Sequence, residues 1–418
     1  MIKNIVTLLF LLLPLCGVKA EDKFAIAKDS IADSVEVGLI TCGPGDEIYE
    51  YYGHTAIRLH GIINGEPCDW VVNYGVFDFQ SDNFIWRFAL GHTDYIMAYE
   101  PFNYFFRHYS ERGIWAKEQL LNLNDNEKKL LLALLAENAK PENRTYRYSF
   151  FYDNCATRAR DKIEECIAKC DINAKIAYNP DTDKDKTLRD IVHQCSATHE
   201  WADWGQRFLL GKEADQIADR EKREFCPFYL MEDFAQAKIV RNGETMPLVK
   251  ETIELLPDMR GFSGMSNDNI LKDATPTNII VILLMIISII CVSEKKRGKP
   301  YYIIDSCLIV IQGIIGLLVA FLFFFSTHPT VNSNWLVIVF NPLPLIGLWW
   351  QLKGARIGKY WYYHNVSCIV LSIFLILCTF VGQKIDGITI CLICILLIRN
   401  INNIVLAYRN KNTYQQQQ

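Results

Sequence analysis

Residues 21–274 contain no CxxC pair and no cysteine–histidine spacing typical of zinc sites, so we predict no metal and no cofactor there. The same residues are poor in positive charge, with 30 Lys and Arg against 44 Asp and Glu, a net charge of −14. That balance argues against binding to nucleic acid, and against attachment to anionic surfaces by charge. Outside the apolar C-terminal part there is no internal repeat, and the only low-complexity run is the terminal glutamine tail.

The first 20 residues have the pattern of a cleavable signal peptide. They place a lysine near the start, then an apolar run, then the small residue Ala20. Processing as a lipoprotein at Cys16 is disfavoured because the residue before it is the bulky Leu15. We therefore predict an exported mature protein that begins near Glu21. Residues 21–274 contain seven cysteines, and an odd number in an oxidising compartment leaves at least one free thiol.

From about Thr275 the chain consists mainly of apolar stretches near the ~20 residues that a bilayer requires. There are five, at roughly 278–293, 302–326, 331–350, 361–382 and 385–407, and Arg399 interrupts the last. The connections SEKKRGKP and QLKGARIGKY are basic, whereas STHPTVNSN has no lysine or arginine and GQKID has one lysine. By the positive-inside rule the basic connections and the C-terminal tail are cytoplasmic. We predict a multi-pass inner-membrane protein whose catalytic domain lies in the periplasm.

The periplasmic part mixes strand and helix patterns, which predicts an α+β fold with an antiparallel sheet. Residues 36–79 read as three strands, and Asn64-Gly65 between the second and third is a strong hairpin signal. NLNDNEKKLLLALLAENAKP reads as a helix capped by Asn124. RTYRYSFFYD returns to β character and precedes a second helix. The predicted organisation is a signal peptide (1–20), a catalytic domain (21–170), a largely helical extension (171–274), five transmembrane helices (275–410) and a cytoplasmic tail (411–418).

Cys155 stands where the aromatic strand-like segment gives way to that second helix. With Asp153 or Asn154 as the N-cap, the cysteine falls in the first helical turn, where unsatisfied amides and the helix dipole favour a thiolate. Positions 155, 159, 163, 166 and 170 form a small, apolar stripe that predicts packing against the sheet. The Cys155 thiol would then point at the strands, where a histidine can reach it.

His54, in YYGHTAIRL, is the base that this geometry selects. If Asn64-Gly65 is the turn, position 54 lies opposite position 75, and Asn73 is a diagonal neighbour on the same face. An amide there can fix the tautomer of the imidazole ring, as in a Cys-His-Asn arrangement. The rival bases are His60, on the same face near the hairpin tip, and His92.

Each of these residues also has a non-catalytic interpretation. Cys155 can be half of a disulfide, which is the commoner state for a cysteine in an exported domain. His54 can be a half-buried histidine with satisfied hydrogen bonds, and Asn73 can simply bond a turn. Asp153 and Arg158 fit a role in capping and bracing the helix better than a chemical one.

At these residues the sequence resembles a known family. YYGHTAIRL, VVNYGVFDF, FIWRFALGHTDY, LNLNDNEKKLL and PENRTYRYSFFYDNCATRARDKIE, together with the five apolar stretches, resemble the Lnb family of bacterial lipoprotein N-acyltransferases. The resemblance implies transfer of a phospholipid acyl chain to the α-amino group of the lipidated N-terminal cysteine of lipoproteins. The implied partners are a phospholipid donor, a lipoprotein acceptor and the inner membrane.

A strand histidine followed by a helix-start cysteine also resembles the circularly permuted papain-like group. That group includes the lecithin:retinol acyltransferase relatives and many cell-wall peptidases, so the resemblance implies a permuted papain-like fold. In the acyltransferase branch a second histidine follows the base on the next strand, and here Asn73 stands instead. Two other hypotheses remain open: a membrane-anchored cysteine peptidase or amidase acting on the cell wall, and a non-enzymatic envelope assembly protein with a disulfide-bonded Cys155.

Overall fold

The computed structural model describes residues 34–77, 81–179, 185–260, 274–356 and 362–416. The predicted signal peptide and the last residues of the predicted tail lie outside them. The described chain forms an α+β domain built on an antiparallel sheet, followed by a helical region, as the sequence predicts.

The main sheet has seven antiparallel strands in the order β10-β5-β1-β2-β3-β4-β6. Their bounds are β1 Glu36–Cys42, β2 His54–Ile63, β3 Glu66–Val76, β4 Asp94–Pro101, β5 Ala116–Leu121, β6 Thr145–Arg147 and β10 Val249–Leu256. The predicted return to β structure after residue 143 is confined to the three residues of β6. Two helices flank β4 in the chain, α1 Phe84–Leu90 before it and α2 Phe102–Glu111 after it.

The hairpin of β2 and β3 has the predicted turn and the predicted register. Asn64 and Gly65 adopt φ of 53° and 77°, the left-handed values that a two-residue hairpin turn requires. Ala56 pairs with Asn73, so His54 stands at the level of Gly75. The register brings His54 and Asn73 onto one face, because side chains alternate along each strand.

Two capped helices, α3 Asp125–Ala139 and α4 Cys155–Cys170, pack on the other face of the sheet. In α3 the Asn124 side chain accepts from the Glu127 amide while the Glu127 carboxylate accepts from the Asn124 amide, the capping box that the sequence predicts. In α4 the predicted stripe faces the core, with Ala159, Ile163 and Cys166 completely buried. This packing fixes α4, and therefore Cys155 at its first residue, relative to the strands.

Residues 171–260 are less helical than the sequence suggests. They contain the helices α5 Leu188–Ser196, α6 Glu200–Leu209, α7 Arg220–Arg223 and α8 Pro227–Gln236. They also contain a three-stranded sheet of β7 Lys175–Ala177, β8 Lys238–Arg241 and β9 Glu244–Pro247. Since β10 pairs with β5 at the edge of the main sheet, the sheet extends beyond the boundary predicted at residue 170.

The helical region has α9 Pro276–Arg297, α10 Tyr302–Phe325, α11 Leu343–Arg356, α12 Tyr363–Leu377 and α13 Gly387–Gln416. Among the described residues, three of these helices (α9, α10 and α13) are long and apolar enough to cross a membrane. The predicted third and fourth spans instead form helices of 14 and 15 residues. In the third, a short 3₁₀ turn at Trp335–Ile338 precedes Pro342, and α11 begins only after it. A proline has no amide hydrogen to continue a helix, which explains why this stretch is broken.

Arg399, which interrupts the last apolar stretch, is buried in an ionic network that joins the three long helices. Its guanidinium lies 2.7 Å from Glu294 of α9 and 2.7 Å from Asp305 of α10. Asn402 and Asn403 of α13 donate to the same two carboxylates. A charge inside a membrane region is costly unless it is paired, and this pairing explains how α13 tolerates an arginine.

Candidate active site

Cys155 is the first residue of α4, and Asn154 is the N-cap. The Asn154 side chain accepts from the amides of Ala156 and Thr157 at 3.0 and 3.1 Å and donates to the carbonyl oxygens of Phe150 and Phe225. The cap is therefore tied to two other segments, which holds the start of the helix in place. Asp153 and Arg158 form a two-point ion pair with separations of 2.6 and 2.8 Å beside it, in the bracing role predicted for them.

His54, the first residue of β2, is hydrogen-bonded to Asn73 and lies close enough to the Cys155 thiol to interact with it. The ring atom Nε2 lies 3.0 Å from Asn73 Oδ1. Asn73 Nδ2 in turn donates to Glu100 Oε1 at 2.8 Å, so the amide oxygen is the atom that faces the ring. The ring must then donate from Nε2–H, which leaves Nδ1 as the nitrogen that serves Cys155. Four side chains thus form one relay: Cys155, His54, Asn73 and Glu100.

The electrostatics of the relay favour a thiolate beside an imidazolium. Burial raises the pKa of the Cys155 thiol, but the charge and hydrogen bond of His54, together with the backbone amides of Thr55 and Ala156, lower it below its ordinary value. Burial lowers the pKa of His54, yet the charge of Cys155 and the hydrogen bonds to Cys155 and Asn73 raise it above its ordinary value. The two shifts have the opposite signs expected of an ion pair.

Glu100, near the end of β4, is the residue that sequence reasoning missed. Burial raises the pKa of this carboxyl group, although the hydrogen bond from Asn73 and the charge of His54 oppose that change. Glu100 reaches Asn73 because β3 pairs with β4. Asn73 lies opposite Ala98, and Glu100 is the next residue of β4 whose side chain is on the same face as that of Ala98. The available signal was Glu100 itself, the one carboxylate among the apolar and aromatic residues that follow Asp94 in DYIMAYEP.

The thiol and the imidazole open into a cavity of about 190 Å³. Phe77, Tyr95 and Tyr148 line it together with Cys155 and His54. Gly75 lies beside Cys155 with φ of +96°, and a β-carbon there would come within 3.7 Å of the Cys155 β-carbon. That distance is an ordinary contact, so the positive φ at the bulge in β3 is what favours glycine at this position.

The rival bases lie elsewhere. His60 is six residues further along β2, about 20 Å at the usual rise per residue, and faces Asp69 across the hairpin. His92 is exposed in the connection after α1. Cys155 is a free thiol, as are the other cysteines of the described residues. Among those same residues, no three histidine, cysteine or acidic side chains come together in a way that would hold a metal ion.

The fold and the site together define a membrane protein with an α+β domain that carries a cysteine–histidine–amide arrangement. Residues 22–192 match the family model of the Lnb N-terminal periplasmic domain. Residues 266–411 match the model of the Lnb transmembrane domain. The chain belongs to the Lnb family and is a membrane protein with a periplasmic domain. Comparison with the curated proteins and with the solved structures gave no significant match.

Proposed function

We propose that the protein is a lipoprotein N-acyltransferase of the inner membrane. It moves an acyl chain from a phospholipid, through a thioester on Cys155, to the α-amino group of the diacylglyceryl-cysteine of a lipoprotein. The observation that supports this most strongly is the thiol–imidazole pair of Cys155 and His54 in a cavity whose domain rests on membrane helices. Family membership supports the same proposal, because a periplasmic domain joined to a transmembrane domain would work close to membrane lipids.

In the first half-reaction the Cys155 thiolate attacks an ester carbonyl of the phospholipid. The new C–S bond forms as the C–O ester bond breaks, and the His54 imidazolium gives its proton to the departing lysophospholipid alkoxide. Asn73 keeps the ring oriented through Nε2. Because Asn154 occupies the amides of Ala156 and Thr157, we assign the Cys155 amide to stabilising the oxyanion.

In the second half-reaction the lipoprotein amine attacks the thioester. His54, now neutral, accepts the amine proton, the C–N bond forms, and the thiolate departs to restore the ion pair. An α-amino group titrates near pH 8, so an imidazole can deprotonate it at neutral pH, whereas a lysine side chain is harder to deprotonate. The acyl-enzyme must also be kept from water until the amine arrives, and apolar surroundings for the acyl chain serve that purpose.

The decisive experiment uses the full-length protein with phospholipid and a diacylglyceryl-cysteine peptide. We expect N-acylated peptide and lysophospholipid in similar amounts. Cys155→Ser and His54→Ala should each abolish both products, while Cys68→Ser, whose thiol lies at the opposite end of the β2–β3 hairpin, should behave as wild type. Rapid release of fatty acid regardless of the peptide would identify a lipase instead.

The competing hypothesis of a cell-wall hydrolase predicts a different outcome. Such an enzyme would cleave wall peptides with no phospholipid present, and the same two substitutions would abolish that cleavage. Mass spectrometry of lipoprotein N-terminal peptides from cells with and without the gene provides the matching test in vivo. Loss of N-acylation without the gene supports the transferase.

A further inference from the structure

Helix α1 lies against the C-terminal end of α10, beside the last turns of that helix. Trp86 packs edge-on against Phe321, with ring centroids 5.4 Å apart. Phe321 precedes the last residue of α10, Phe325, by four positions, about 6 Å along the helix axis. Thr327 anchors the other end of α1, since its amide and its hydroxyl donate to the Leu90 carbonyl at 3.0 and 2.9 Å.

The outward side of α1 is apolar and exposed. Ile85 is 77% exposed and Trp86 is 59% exposed, and α1 contains no acidic residue. The neighbouring end of α10 is similar, with Phe324 and Phe325 each more than 60% exposed. The surface of α1 therefore continues the apolar surface of a helix that is long enough to cross a membrane.

A continuous row of aromatic rings runs from α1 to the thiol cavity. The centroid separations are 6.3 Å for Phe88 and Phe84, 5.3 Å for Phe84 and Phe77, and 4.7 Å for Phe77 and Tyr95. Phe77 and Tyr95 line the cavity that contains Cys155. This cavity is smaller than the ~300–1,000 Å³ of typical ligand pockets, so most of a long acyl chain bound there must lie outside it.

We propose that α1 lies at the headgroup–acyl boundary of the outer leaflet, and that the ring row guides the donor acyl chain from the bilayer to Cys155. The ligand that lies along the ring row is one acyl chain of a membrane phospholipid. The acyl donor therefore approaches Cys155 from the side of α1. The second half of this proposal rests on the proposed function, and the first half does not. Purely structural packing of the same rings would give no dependence of the rate on the length of the acyl chain.

The position of α1 is tested without any reaction. A photoreactive p-benzoylphenylalanine replaces Ile85 in full-length Cys155→Ala protein reconstituted in phosphatidylethanolamine vesicles. We expect light-dependent crosslinks to phospholipid from this position, and none from the same group at Ile172, which is 93% exposed on the periplasmic domain. If positions 85 and 172 crosslink equally, or position 85 does not crosslink, α1 is not in the bilayer and the proposal is overturned.

The route is tested with two donors. Ile85→Asp puts a carboxylate among acyl chains, which is unfavourable, and should lower acyl transfer from long-chain phospholipid tenfold or more. Transfer from a water-soluble short-chain thioester, which needs no route from the bilayer, should stay within twofold, and Ile172→Asp should change neither rate. Phe88→Ala should lower the rate more for longer acyl chains. Equal losses with both donors would overturn the route, whereas a wild-type protein inactive with both donors would refute the proposed function itself.

Discussion

Replacing Asn73 with alanine tests whether the amide positions the imidazole of His54, the proposed base. The substitution removes two hydrogen bonds, one of 3.0 Å to His54 Nε2 and one of 2.8 Å to Glu100. Asn73 is only 8% exposed, so water replaces these contacts poorly. The His54 ring keeps its place on the strand but loses the acceptor that selects its tautomer.

The size of the effect follows from the kind of bond that is lost. A hydrogen bond to a charged group contributes about 1.5–3 kcal/mol, and in the proposed mechanism the ring is charged when it protonates the leaving alkoxide. If that whole contribution is lost in the transition state, kcat falls roughly 10- to 150-fold. Glu100→Gln should lower kcat much less than Asn73→Ala, because the new amide oxygen still accepts from Asn73. Glu100→Ala should fall between them.

The assay is the initial rate of N-acylated peptide formation at saturating phospholipid, with the folded fraction measured separately. Asn122→Ala is the matched control, because its side chain donates one hydrogen bond of 3.1 Å to the Pro247 carbonyl at the far end of β5. It should reduce stability without changing the rate per folded molecule. Full activity in Asn73→Ala would refute the positioning role, and a loss as complete as that of Cys155→Ala would mean that Asn73 does more than orient the ring.

Three further predictions follow from the ion pair, the charge pattern and the proposed acyl-enzyme. The rate should rise with pH as Cys155 loses its proton and fall as His54 loses its own, because the pKa is lowered for the first and raised for the second. In His54→Ala, alkylation of Cys155 by iodoacetamide should require higher pH, because burial still raises the thiol pKa while the opposing charge of His54 is gone. An unchanged dependence of the alkylation rate on pH would contradict the ion pair of Cys155 and His54. Reporter fusions at Lys299 and the C-terminus should report cytoplasm and one at Asn332 the periplasm, and a periplasmic C-terminus would show that the spans are miscounted. Blocking the α-amine of the acceptor peptide should stop N-acylation and leave only slow release of fatty acid, whereas unchanged lysophospholipid production would point to a hydrolase.

The parts of the site that lie close in sequence, or that one turn connects, were predictable. The Asn64-Gly65 turn set the register of β2 against β3, and period-two alternation then brought His54 and Asn73 together. Local capping rules likewise placed Cys155 in the first turn of α4. The apolar stripe of α4 indicated that the thiol faces the sheet. The chemical roles of these residues remain proposals.

Features that depend on distant segments were not predictable in the same way. Glu100 joins the relay only because β4 pairs with β3, and no turn signal near residues 78–93 fixes that register. Strand β10 was missed because it closes the sheet against β5, more than 120 residues earlier in the chain. The preference of a strand depends on its neighbours in the sheet, so the pairing of β10 is decided by the sheet edge that remains open.

The broken third apolar stretch shows that an apolar run of spanning length need not form one continuous helix. The Val339 carbonyl, in the irregular segment before α11, accepts from Gln312 Nε2 at 2.7 Å. Gln312 precedes the end of α10 by 13 residues, about 20 Å, so this irregular backbone reaches well into the helical region. Non-helical backbone at such depth requires partners within the protein, and the buried Gln312 side chain supplies one. Gly316 on the same helix provides the space, because a β-carbon there would come within 2.4 Å of the Asn341 backbone. An apolar run of 20 residues therefore shows only that the segment is compatible with lipid. Polar and small residues on a neighbouring helix decide whether that segment forms one continuous helix or a broken one packed within the protein.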